Sequence, residues 1–111
     1  MYVPVTSRIR MFVQIQVPRY MTQPEWQALP GELALIKDVE GEEPADGDYH
    51  PALWIGKALS MVVAGPDDDS PVSVKYPPGD FMAWARIHAG DERPVLRSGR
   101  VRVGGPGYPP P

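Results

Sequence analysis

No cysteine occurs in the chain. Disulfides and thiolate metal sites are therefore excluded, and a small secreted fold held together by cystines is not expected. Histidine is scarce as well. His50 and His88 are too few to build a zinc site without help from carboxylates. Long apolar runs are missing: the opening MYVPVTSRIRMFV has neither an apolar core nor a small-residue cleavage site, so neither a signal peptide nor a membrane span is expected. Charge of one sign is not in excess. Eleven basic residues face fourteen acidic ones, a formal net charge of −3, which removes the global electrostatic case for nucleic-acid binding. What the chain has in quantity is turn chemistry: 15 prolines and 11 glycines, about a quarter of its 111 residues. A helical bundle cannot absorb that much proline, whereas a turn-rich all-β fold can. The length fits one domain, and an apolar content of 42% is ordinary for a globular core.

Alternation supplies the strands. In RIRMFVQIQV (8–17), Ile9, Met11, Val13, Ile15 and Val17 point one way; Arg8, Arg10, Gln14 and Gln16 point the other, and Phe12 alone breaks the pattern. This predicts a half-buried strand ended by Pro18. The connector 18–30 holds three prolines, with a single helical turn expected near Pro24–Leu29. ELALIK (32–37) is compatible with strand or helix; Gly31 before it and the acidic loop after it favour a strand. Residues 38–51 form a loop with six acids and no Lys or Arg. ALWIG (52–56) and KALSMVVA (57–64) read as strands bent at Gly56, 65–71 as a turn, and VSVKY (72–76) as a short strand. Six or seven short strands with turn signals every 8–15 residues describe an antiparallel sandwich or small barrel.

The most definite stretch is GDFMAWARIHAGDERPVLRSGRVRV (79–103), two strands joined by a polar turn. Phe81, Ala83, Ala85, Ile87 and Ala89 share one face; Met82, Trp84, Arg86 and His88 share the other. Trp84 and Arg86 read either as an interface pair or, because the opposite face is made small by alanines, as the true core. Arg86, Arg93, Arg97, Arg100 and Arg102 make this hairpin basic, while 38–48 and 67–69 are acidic. A chain with one basic and one acidic side suits docking onto copies of itself or an oppositely charged partner.

Reactive chemistry is weakly represented. Asp46–His50 and Asp67–Asp69 lack the spacing of a calcium loop and read as polar turns. Ser98 sits in RSGR, which is not a nucleophile elbow. Glu42 and Glu43 lie in a loop with nothing apolar to raise a pKa. No glycine-rich phosphate loop follows a strand and opens a helix. An enzyme is not expected, nor a cofactor, a metal or a small-molecule ligand. The closing GGPGYPPP cannot enter a core strand; it reads as a disordered end or as a stiff arm anchored by Tyr108.

PGDFMAWARI (78–87), followed by RPVLRSGRV (93–101) and joined by HPALW (50–54) and the Ala64–Gly65–Pro66 turn, resembles small immunoglobulin-like structural proteins of tailed bacteriophages that infect actinobacteria. The resemblance covers roughly residues 30–103. It implies an all-β, Ig-like antiparallel sandwich of about seven strands over 1–103, with a Pro/Gly-rich arm at 104–111. It further implies a virion protein of the head–tail neck or tail, assembled in the host cytoplasm, with capsid decoration as the neighbouring alternative. Its partners would be copies of itself and other virion proteins, with no membrane and no nucleic acid. A carbohydrate- or receptor-binding sandwich is the alternative of a different class, read from Trp and Tyr beside acidic loops. The expected partner contacts are Trp84, Arg86, Arg97, Arg100, Arg102 and Tyr108.

Overall fold

Apolar alternation is realised as eight strands in the computed structural model, which describes residues 1–69 and 74–111. The strands are β1 (Tyr2–Val3), β2 (Arg8–Gln14), β3 (Gly31–Lys37), β4 (His50–Ile55), β5 (Ala58–Ala64), β6 (Val74–Lys75), β7 (Gly79–Ile87) and β8 (Val95–Val103). Residues 70–73, part of the turn expected at 65–71 and of the strand expected at 72–76, lie outside the described residues. The expected helical turn is α1 (Gln23–Gln27). Pro24 lies in its first turn, and the Glu25 carboxylate accepts from the Thr22 N–H at 3.1 Å and from its hydroxyl at 2.8 Å.

The strands follow the order β1-β8-β7-β3-β4-β5-β2, with β6 beside β5. The path folds into two layers because β4 changes sheets. Its first half, at Ala52, Pro51 and His50, pairs antiparallel with β3; its second half, Leu53–Ile55, pairs with β5. Sheet A therefore contains β1, β8, β7 and β3, and sheet B contains β5, β2 and β6, with β4 as the shared corner. The pairs β1–β8 and β5–β6 are parallel and the others antiparallel. This is the all-β sandwich that the turn spacing predicts. The link between β4 and β5 is two residues long, and Gly56 carries the positive φ of 59° that tight hairpin turns demand.

Between the layers lie Met11, Val13, Leu59, Met61 and Val63 from sheet B and Leu33, Leu35, Phe81, Ala83, Ala85, Ile87, Val101 and Val103 from sheet A. The small alanines on β7 let the sheets approach where Leu33 and Leu59 are fully buried. Gly31 is required at the β4 corner: a Cβ there would run into the Leu59 side chain. Pro18 does not end β2 directly. Pairing stops at Gln14, but Ile15 still donates its N–H to the Lys57 carbonyl (2.9 Å) and stays in the core.

Candidate interaction surfaces

The alternation of β7 sends Met82, Trp84 and Arg86 to the outer side of sheet A. That side is not open. The segment following β3 folds back over it, and Ala34, Tyr49, Met82 and Trp84 form a second small core with Ile36 against it. Both faces of β7 are consequently buried, so neither of the two sequence-based alternatives for this strand describes it completely. Trp84 is 8% exposed, and its indole N–H has no hydrogen-bond partner among the described residues.

Arg86 organises the polar border of this second core. Its Nε donates to Glu32 at 3.0 Å and its Nη1 to Asp46 at 2.6 Å. The guanidinium lies 4.1 Å from the centroid of the Tyr49 ring, a cation–π geometry. His88 meets the same Glu32 oxygen that accepts from Arg86. Burial alone would push the Glu32 carboxyl up; hydrogen bonds and charge from Arg86 and His88 outweigh this and hold it below the ordinary range. The hydrogen bond from Arg86, reinforced by its charge and that of Arg93, also holds Asp46 low. Burial raises the Tyr49 phenol. The cluster pins the acidic segment onto sheet A. Trp84 and Arg86, expected as partner contacts, are thus held inside the chain by its own loop.

The arginines of β8 also find carboxylates at home. Arg100 Nε lies 3.0 Å and Arg97 Nη2 3.6 Å from Asp38 at the start of the acidic segment. Arg102 reaches Asp80 at 2.7 Å, and this hydrogen bond lowers the Asp80 carboxyl and raises the guanidinium. Arg102 also donates to the Pro109 carbonyl at 3.2 Å. The chain turns back at Gly105–Tyr108, where the Tyr108 N–H donates to the Gly105 carbonyl, and the Tyr108 side chain is half-buried. Arg97 and Arg100 keep much of their surface in solvent, with side chains 56% and 80% exposed.

The outer side of sheet B is different. Phe12 on β2 is 51% exposed, and Leu53 and Ile55 on β4 are 65% and 46% exposed. Phe12 and Leu53 stand opposite Ser60 from its two sides. Arg10 Nη1 donates to the Ser60 hydroxyl at 3.0 Å, and that hydroxyl donates to the Leu53 carbonyl at 3.3 Å. An outward sheet face is ordinarily polar, so these three side chains mark a surface with something to cover. None of them was among the residues expected from the sequence. The signal was present all the same: Phe12 is the one apolar residue on the polar side of its strand.

Edges are open too. Among the described residues β2 pairs only with β5, and β8 pairs with β1 only at Arg102 and Val103. A cleft of about 480 Å³ separates the two edges, with Val13, Ile15 and Leu96 in its lining. No three His, Asp or Glu side chains come together as a metal site among the described residues. Among the described residues no helix is long and apolar enough to cross a membrane. Comparison with protein-family models, with curated proteins and with solved structures finds no match to this chain.

Proposed function

We propose that this chain is a non-catalytic building block of a larger assembly, a repeated subunit in the head–tail neck or tail of a tailed-phage virion. The observation that carries a building-block role is the asymmetry of the sandwich. One outer face is covered over Met82 and Trp84 by the chain's own acidic segment, while the other leaves Phe12, Leu53 and Ile55 in solvent along the middle of the sheet. Sandwiches keep apolar side chains on an outer face where another surface covers them. The open edges of β2 and β8 add unpaired backbone groups suited to neighbouring chains. The phage assignment rests on the sequence resemblance of the 78–101 hairpin. Reading the chain as a sugar-binding module rests on exposed Trp and Tyr beside acidic loops. Trp84 is buried and the Trp54 indole donates to the Leu29 carbonyl at 2.9 Å, which weakens the tryptophan part of that reading, while Tyr20 stays 84% exposed.

The test is mass spectrometry and immunogold labelling of purified particles from the phage that encodes the chain. Labelling at the neck or tail supports the proposal. Labelling over the head surface selects capsid decoration instead. Absence from particles refutes the virion role.

A further inference from the structure

We infer that the outer face of sheet B is a groove that receives the acidic turn Val39–Glu43 of a second copy of this chain, so that copies join head to tail. The inference deepens the building-block reading and rests on it.

The groove follows from side-chain size. Three of the four outward residues of β5, Ala58, Ser60 and Ala64, are small and nearly inaccessible between the larger side chains of the flanking strands, and Val62 is half-buried among them. Arg8, Arg10 and Phe12 on β2 form one wall; Leu53 and Ile55 on β4, and Lys75 on β6, form the other. A hollow of about 220 Å³ opens at its centre, lined by Arg10, Pro51, Leu53, Ser60 and Val62 among others.

Its charge identifies the occupant. Arg8 is already paired with Asp68 at 3.2 Å. Arg10 and Lys75 have no carboxylate partner among the described residues. The groove therefore combines apolar walls with two cations that have no carboxylate partner among the described residues, and its complement is an exposed turn with an apolar tip and acids that lack a cationic partner there. The chain carries one. In Val39–Glu43, the Glu42 N–H donates to the Val39 carbonyl at 3.2 Å and Gly41 takes a φ of 83°, so the segment bends sharply. Val39 is 49% exposed at its start. Glu40, Glu42 and Glu43 are exposed and have no cationic partner among the described residues. Val39 supplies the apolar contact for Phe12 and Leu53, and the glutamates supply the charge for Arg10 and Lys75.

Position determines the symmetry. The turn sits outside sheet A and the groove outside sheet B, on opposite sides of the core. A chain cannot fill its own groove. The contact is heterologous and propagates, closing into a ring or continuing as a filament rather than stopping at a two-fold dimer.

The experiment uses charge reversal on the full chain, read by light scattering and sedimentation at low salt. Arg10→Glu/Lys75→Glu makes groove and turn both acidic. Glu40→Lys/Glu42→Lys/Glu43→Lys makes both basic. Each set weakens self-association about 100-fold or more, since facing like charges oppose docking. An equimolar mixture of the two sets restores assembly, because each groove then meets an opposite turn. All the substituted side chains are exposed, so circular dichroism and thermal unfolding stay close to wild type and separate lost contact from lost fold. Wild-type association that neither set changes overturns the groove contact. A wild type that stays monomeric up to millimolar concentration overturns it too, while particle labelling still decides the virion role separately.

Discussion

Replacing Arg86 with methionine tests whether the acidic segment is held by one side chain. Methionine keeps much of the aliphatic stem and removes the charge. Arg86 contacts Glu32, Asp46 and Tyr49, but the three do not count equally. The Asp46 side chain is 86% exposed, so solvent screens its pair and it contributes little. The Glu32 side chain is only 22% exposed, and the Arg86 side chain 10%. A hydrogen bond between charged groups in such surroundings stabilises by about 1.5–3 kcal/mol. Stripping a partner from a fully buried pair costs about 3–5 kcal/mol. His88 remains on Glu32 and limits the damage. The expected loss is about 2–3 kcal/mol, or roughly 8–12 °C in Tm for a domain of this size. Urea unfolding followed by circular dichroism at pH 7 measures it.

Acid should shrink the difference. Glu32 binds protons more weakly in the folded chain than in the unfolded one, because its folded pKa is lowered. Its stabilising contribution is complete above the unfolded value of about 4.3, and is lost as pH falls through the lower folded value. Wild type forfeits this increment on acidification, whereas Arg86→Met lacks most of it already. The two unfolding curves therefore converge below about pH 4. A loss under about 0.5 kcal/mol at pH 7 is what an ordinary surface substitution gives, and it would refute the reasoning. So would a gap that stays constant from neutral pH down to acid.

Other substitutions probe the remaining contacts. Trp84→Ala opens a cavity in the second core and costs about 3–5 kcal/mol; Trp84→Phe also removes an unpartnered indole N–H and costs less than about 1.5 kcal/mol, both read by thermal unfolding. Arg100→Ala, on a side chain 80% exposed, changes stability by no more than about 0.5 kcal/mol despite its 3.0 Å contact with Asp38; a chemical-denaturation midpoint shift well beyond that contradicts the reading. Gly65→Ala drives a Cβ into the Pro4 and Val5 carbonyl oxygens where β1 passes into β2. Backbone cannot yield as a side chain can, so this variant should lose more stability than Gly47→Ala, whose Cβ meets nothing within 4 Å; equal melting temperatures would show the corner to be looser than described.

Much of the architecture was legible locally. Alternation in 8–17 and 79–103 marks β2, β7 and β8, and Pro24 marks the short α-helix α1. Glycine and proline punctuation separates the strands because those residues adopt, or forbid, particular backbone angles whatever surrounds them. The face of β7 was a different matter. Its pattern is equally consistent with either side being inside, and what decides is a loop: Arg86 meets Asp46 and Glu32 across 40 and 54 residues of sequence. Likewise, the arginines of β8 announce charge without naming Asp38 and Asp80 as the acids that receive it.

By itself, then, the sequence determined the longer strands, the turns between them and one misplaced apolar residue, Phe12, because period-two alternation is a property of each strand alone; the two-residue β1 is too short to carry that signal. Only the tertiary structure decided which faces are sealed. Coverage depends on where a distant loop comes to rest, and the acidic segment carries no periodic signal of its own. It covers Trp84 and leaves Phe12, Leu53 and Ile55 in the open.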